Sequence, residues 1–248
     1  MSDVTTVIIA KNEERNIARS IRSVRGLGPV IVADTGSVDR TCAIAELEGA
    51  TVHRIEWQGF GRSKRKACES ASTDYVLSID ADEVVSRQLA RQIRHAISEA
   101  GAADGYFLLR VTNFCGSWIL HSGWYPQYVL RLFRKDSGQC TDDLIHESII
   151  CKGRTARLDG LFFHYSYPSI DSFRTKIRPY ARMGAARYLS KGGRLAAVRM
   201  MVNPPVSFVR QFILQLGFAD GIMGLWIAVL FAAERFLKYW YALTEDRE

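Results

Sequence analysis

The chain has no G-x-G-x-x-G after its first apolar run and no G-x-x-x-x-G-K-[ST] anywhere, so the glycine cradles of dinucleotide-binding and P-loop proteins are missing. Its five cysteines, at 42, 68, 115, 140 and 151, make no C-x-x-C pair and have no histidine at zinc spacing. That argues against a zinc site and a disulfide framework, and for thiols in a reducing compartment. Met1-Ser2-Asp3-Val4 lacks the basic start and apolar stretch of a secretion signal, so a cytoplasmic chain is expected. Long apolar runs are short as well: the longest uncharged one, Gly221 to Ala233, falls below the roughly 18 to 20 residues needed to cross a bilayer.

What is present is a folded chain of 248 residues, 48% hydrophobic and 11% aromatic, long enough for one substantial core with an appended subdomain. Its net charge of +7 calls for an anionic partner. From Val4 to about Leu109, β-branched runs alternate with amphipathic stretches. Strands are expected at Val7–Ala10, Val30–Ala33, Thr51–Ile55 and Tyr75–Ile79, and helices at Glu14–Val24, Arg40–Glu48, Ser63–Ser70 and Ser86–Ala100. This alternation predicts an α/β fold with a mostly parallel, Rossmann-like sheet covered by helices on both faces. Further strands are expected at Tyr106–Leu109, Tyr128–Phe133 and Gly160–Phe163.

In such sheets ligands gather beyond the carboxyl ends of the strands. Polar residues stand there: Lys11-Asn12-Glu13, Asp34-Thr35-Gly36-Ser37 and Asp80-Ala81-Asp82-Glu83. The last group is the most informative, because hard cations are held by one or two carboxylates plus phosphate oxygens, and side chains two apart on a strand share a face. Asp80 and Asp82 are therefore expected to form a metal and diphosphate site. The competing reading makes these acids the cap and first turn of the next helix. With no glycine cradle, phosphate charge falls to a metal and to basic side chains such as Lys64 and Lys66.

From Asp171 the chain becomes basic, with Arg174, Lys176, Arg178, Arg182, Arg187, Lys191, Arg194 and Arg199 before Asn203-Pro204-Pro205 breaks the pattern. Phe208 to Tyr241 is then apolar and aromatic. Such a pattern suits a surface lying on anionic lipid, with Arg178, Arg182 and Lys191 as charge contacts and Trp226 and Trp240 as interfacial anchors. Packing on the core or on a second subunit, hence a homo-oligomer, is the alternative. No nucleic-acid module accompanies the basic stretch.

Thr6-Val7-Ile8-Ile9-Ala10-Lys11-Asn12-Glu13, Asp34-Thr35-Gly36-Ser37-Val38-Asp39-Arg40-Thr41 and Asp80-Ala81-Asp82-Glu83 resemble, in order and spacing, the family 2 inverting glycosyltransferases of GT-A fold. His146-Glu147, His164-Tyr165-Ser166-Tyr167, Leu216-Gly217-Phe218-Ala219-Asp220-Gly221 and Phe236-Leu237-Lys238-Tyr239 are similar to the lipopolysaccharide core β-1,4-glucosyltransferase subgroup. The resemblance implies a GT-A domain over 1–168 and a helical, membrane-associating extension over 169–248. It also implies a Mg²⁺ or Mn²⁺ cofactor, a UDP-sugar donor with glucose as the expected sugar, and a lipid-linked saccharide acceptor such as the inner-core heptose. The chain would sit peripherally on the inner face of the cell membrane.

By position, Asn12, Glu13, Asp34, Asp39, Asp80 and Ala81 would line the nucleotide sugar. Asp82 would be the principal metal ligand, with Asp80 and His164 as further candidates. The family commonly carries two adjacent acids at the second strand, where this chain has Asp34 followed by Thr35. Inversion needs a base to take the acceptor proton; Glu147 is the candidate, with His146 beside it and Asp142 and Asp143 as alternatives. Competing functions are transfer to polyprenyl phosphate, nucleotidyl transfer, and a membrane scaffold with no catalysis.

Overall fold

A computed structural model describes residues 4–140 and 149–244. The chain divides into two compact units: Met1–Arg110 with Gln127–His164, and Val111–Pro126 with Tyr165–Glu248. Where one cut after residue 168 was expected, the second unit also takes the excursion at 111–126.

The first unit opens with β1 (Val4–Ala10), α1 (Ile17–Val24), β2 (Val30–Asp34), α2 (Thr41–Leu47), β3 (Thr51–Arg54), α3 (Phe60–Glu69) and β4 (Tyr75–Asp80). Then come β5 (Glu83–Val85), α4 (Arg87–Ser98), β6 (Gly105–Phe114), β7 (Ser117–Ile119, in the excursion that belongs to the second unit), β8 (Gln127–Arg134), β9 (Gly138–Cys140), β10 (Ile149–Cys151) and β11 (Thr155–Tyr167). The main sheet runs β3-β2-β1-β4-β8-β6-β11-β5, with β7 on β6 and a separate β9–β10 ribbon. Pairings from β3 to β4 are parallel. Those of β8 with β4 and β6, and of β11 with β5, are antiparallel. The sheet is thus mixed, parallel only in its first half; β6 reaches its antiparallel neighbour β8 with no helix between them.

Period-two alternation sorts the strand residues between two cores. Val4, Ile8 and Ala10 of β1 and Tyr75, Leu77 and Ile79 of β4 pack with Ile17, Ile21 and Val24 of α1 and Leu89, Ile93 and Ile97 of α4. Val7 and Val76 face the other way, onto Ala67 and Cys68 of α3. Helices therefore cover both faces, as expected.

Helix α1 starts at Ile17, not Glu14; ahead of it the Glu13 and Glu14 N–H groups bond to Thr41 Oγ1 and Asp39 Oδ2, at 2.8 and 3.2 Å. Strand β4 ends at Asp80, which leaves Asp82 in the turn before β5, so the two acids do not share a strand face. The cap of α4 is Ser86, whose Oγ accepts from Leu89 N at 3.1 Å, so the acids at 80, 82 and 83 are not needed as helix caps.

The second unit contains α5 (Ile170–Leu189), α6 (Ala196–Val209), a π-helical turn (Arg210–Leu214), a 3-10 turn (Gly217–Asp220) and α7 (Gly221–Thr244). Phe173, Ile177, Ala181 and Ala185, one side of α5 at four-residue spacing, are buried, whereas Arg174, Lys176, Arg178, Arg182 and Arg187 are exposed. Its core gathers Phe114, Ile119, Phe173, Ile177, Ile227 and Leu230.

The break in the basic pattern at Asn203-Pro204-Pro205 is not a break in structure: α6 runs through both prolines to Val209, and the irregular turn follows only at Arg210. Helix identity also outlasts the uncharged run, since Gly217–Thr244 is a 28-residue helical segment long and apolar enough to cross a membrane by length and composition. Glu234, Arg235 and Lys238 cut the uncharged stretch short without ending the helix.

Candidate active site

Strand order reverses around β1, which has β2 on one side and β4 on the other. Such a switch point opens a crevice beyond the carboxyl ends of the strands. The register sets Asp34 opposite Ala10 and Asp80 opposite Ile9, so two carboxylates flank the end of β1. Asp34 lies on the α1 side of the sheet and Asp80 on the α3 side, by the alternation already described.

Two loops beside β1 are laced together. Asn12 adopts φ 56, a left-handed conformation that asparagine tolerates. It donates its N–H to Ser37 Oγ and accepts from Val38 N through Oδ1, each at 2.9 Å. Asp34 is buried and accepts from Gly36 N and Ser37 N at 3.2 Å. Thr35, where the family commonly has an acid, is also buried and donates through Oγ1 to the Ala10 carbonyl.

Asp39 accepts from Thr41 N, Thr41 Oγ1 and Glu14 N. Burial opposes its charge, but the Thr41 and backbone bonds hold its carboxyl below the usual range. Glu13 accepts from Asn16 Nδ2 at 2.7 Å. Asn12, Glu13, Asp34 and Asp39 are thus together, and they shape the loops through backbone bonds.

Around Asp80 the charges interlock. Lys64 Nζ lies 2.7 Å from Asp80 Oδ1, and Arg131 Nη2 donates to Asp80 Oδ2 at 2.9 Å. Arg131 Nη2 also donates to Glu83 Oε1 at 2.9 Å, Arg110 reaches that oxygen at 3.4 Å, and Glu83 Oε2 accepts from Asp80 N at 2.8 Å. Glu83 is fully buried. Desolvation alone would raise the Asp80 pKa, yet Lys64 and Arg131 hold it well below the ordinary carboxylate range. Each Asp80 oxygen therefore already has a cationic partner.

Lys64 is corrected on this point: it is buried and bound to Asp80, while Lys66 is exposed on another side of α3, so the two do not converge on one phosphate. Ala81 is buried in the turn. Arg131 is the residue that the sequence reading passed over, and Glu83 stood in its acidic motif without a role of its own. The signal was an arginine within the apolar strand Tyr128–Phe133, where an unpaired charge is too costly to persist.

Asp82 is differently placed, with His164 Nε2 at 3.4 Å from its Oδ2. His164 Nδ1 is buried and has no partner among the described residues. The same residues include no cluster of three or more His, Cys, Asp or Glu arranged to hold a metal. Two donors, a carboxylate and an imidazole, nevertheless fit a divalent cation whose remaining positions go to diphosphate oxygens and water. His146, Glu147, Asp142 and Asp143 lie outside the described residues.

The glycosyl transferase family 2 profile matches residues 5–152, more than half of the chain. The chain belongs to glycosyl transferase family 2. This glycosyltransferase is 29% identical to an uncharacterised glycosyltransferase of Rickettsia typhi, over 96% of the chain and 86% of the relative. It is 24% identical to the lipopolysaccharide core biosynthesis glycosyltransferase LpsC of Rhizobium meliloti, over 95% of the chain and 93% of that protein. Among solved structures, TarS of S. aureus (residues 1–349) aligns over 99% of this chain and 91% of that one at 14% identity and TM-score 0.47. Glucosyl-3-phosphoglycerate synthase of Mycobacterium tuberculosis, crystallised with Mn²⁺, UDP and glucosyl-3-phosphoglycerate, aligns over 44% of each chain at 22% identity and TM-score 0.37.

Proposed function

We infer that this glycosyltransferase moves a hexose, with glucose from UDP-glucose as the expected donor, onto a lipid-linked saccharide of the lipopolysaccharide-core type, with inversion. The observation that carries the reading is the division of labour in the acidic turn: Asp80 is neutralised by Lys64 and Arg131, whereas Asp82 faces only an imidazole among the ion pairs described. Asp82 is the carboxylate with capacity for a cation, and His164 stands beside it.

A divalent ion held there supplies Lewis-acid neutralisation of the leaving diphosphate. Asp80, Lys64 and Arg131 fix the turn that carries Asp82, so its carboxylate is positioned before the donor arrives. Asn12, Asp34 and Asp39 shape the loops that receive the nucleoside. The acceptor hydroxyl attacks the anomeric carbon, the bond from that carbon to the diphosphate oxygen breaks, and the hydroxyl proton passes to a base. Glu147 is that base in this reading, on the resemblance of the His146-Glu147 pair.

Membrane-face location is part of the same proposal. Support comes from the exposed arginines of α5 and from Trp226 and Trp240, 40% and 47% exposed on α7. These features suit a peripheral surface, and the likeness to LpsC over most of both chains is consistent with such an acceptor.

Calorimetric titration of UDP-glucose with and without Mg²⁺ or Mn²⁺ tests the assignment. Asp82→Asn is expected to abolish the metal-dependent part of binding, and Glu147→Gln to keep binding while transfer falls by about 10² or more. Metal-independent donor binding in the wild type, or an Asp82→Asn variant with intact metal dependence, sinks the reading.

A further inference from the structure

A cavity of about 460 Å³ in the second unit is lined by Arg210 and Arg235, by Gln211 and Gln215, and by Trp124 and Val206 among others, with no aspartate or glutamate in its wall. Arg210 is exposed and Arg235 half-buried, and neither guanidinium has an ion-pair or hydrogen-bond partner among the described residues. Two like charges lining one recess repel, and no acid in its wall offsets them. Such local conflicts persist where a ligand resolves them.

The recess is anchored, not a loose gap. Asp220 accepts from Leu120 N, His121 N and Ser122 Oγ at 3.0, 3.1 and 2.9 Å, and Ser122 N donates to the Gln215 carbonyl at 2.9 Å. Gly224 lets the start of α7 press against the Gly217 carbonyl, a space that a Cβ would occupy. These bonds also account for the tail motif Leu216 to Gly221: its acid ties the 120–122 loop to the 3-10 turn.

We propose that this cavity binds the phosphomonoester headgroup of a lipid, with Arg210 and Arg235 on the phosphate. Arginine forks match phosphate oxygens two at a time, and a monoester presents more charge and more free oxygens than a diester. A lipid is favoured over a soluble phosphate because Val206, in the wall, belongs to an exposed stripe. Val202, Val206, Val209 and Ile213, at i, i+4, i+7 and i+11, are 50%, 57%, 45% and 51% exposed. An acyl chain laid along that stripe would shield it while the headgroup fills the recess. The proposal rests on the membrane reading above and adds a headgroup chemistry to it.

The test is cosedimentation of the full chain with phosphatidylcholine vesicles carrying either phosphatidate or phosphatidylglycerol, matched in surface charge. The wild type is expected to bind phosphatidate about tenfold more tightly. Arg210→Gln/Arg235→Gln should lose that preference while keeping phosphatidylglycerol binding and metal-dependent UDP-glucose binding.

Equal affinity of the wild type for both vesicles, or a preference that survives in the double variant, overturns the proposal and leaves the membrane reading intact. Failure to bind either vesicle overturns both. Displacement from phosphatidate by equimolar glycerol phosphate overturns the lipid assignment in favour of a soluble phosphate ester.

Discussion

At the scale of the residue, the acidic turn shows how one charge prepares another. Asp80 keeps its negative charge because Lys64 and Arg131 are beside it, and that leaves Asp82 as the carboxylate open to a cation. The same pairing makes a pH prediction. Asp80 titrates below its unfolded value, so its contribution to stability is complete above about pH 4 to 5 and is lost as pH falls through the unfolded value towards the folded one. Asp39, depressed by its bonds to Thr41, acts in the same direction. Urea melts between pH 6 and 3 are expected to show stability declining with acid, and Asp80→Asn to flatten the decline. An unchanged slope in the variant would remove Asp80 from the linkage. The sequence announced Asp80 and Asp82 through a strand that ends in carboxylates. It did not announce that Lys64 serves Asp80 and not a phosphate, because that depends on α3 crossing the sheet face on which Asp80 lies.

At the scale of the element, local pattern and tertiary demand part company in identifiable places. Helix α4 follows pattern: Leu89, Ile93 and Ile97 recur every four residues and are buried, and Ser86 caps the first turn. Ser86→Ala is expected to cost about 1 kcal/mol in chemical denaturation, the usual loss for a serine cap. No measurable change would mean that tertiary packing alone fixes the start of α4. Helix α1 departs from pattern: residues 13 and 14 are tied to Thr41 and Asp39 across the loop pair, and the helix begins only at Ile17. Helix α6 departs in the other direction. Pro204 and Pro205 bring no N–H and deprive the carbonyls four residues earlier of their donors, yet α6 continues, packed on α7, where Asn203 Nδ2 donates to Tyr239 Oη at 2.6 Å.

At the scale of the whole molecule, the net charge of +7 is concentrated in the basic stretch from Arg174 to Arg199. Arg182 is partly engaged, with its guanidinium 4.9 Å from the centre of the Tyr241 ring, so charge reversal there would disturb packing as well as charge. Arg178 and Lys191 are exposed and make the cleaner test. Arg178→Glu/Lys191→Glu is expected to weaken binding to phosphatidylglycerol vesicles by more than tenfold, since each basic residue near such a surface contributes about 1 kcal/mol. Undiminished binding would assign these side chains to the solvated surface alone. The long α7 is compatible with spanning by length, but Gly224, Ile227, Ala228, Leu230, Tyr239 and Ala242 are buried, and α5 and α6 pack against it.

What the sequence determined by itself was whatever depends on neighbours along the chain. Periodicity gave the alternating strands and helices, and the three polar strand ends marked the edge of the sheet where chemistry gathers. Only the tertiary structure decided matters that depend on residues far apart. Arg131 meets Asp80 and Glu83 across 51 and 48 positions, Asp220 holds a loop about 100 positions earlier, and Arg210 and Arg235 share one recess. The reason is physical: a side chain's secondary structure is biased by the few residues beside it, whereas its charge state and partner are set by whatever the fold packs against it.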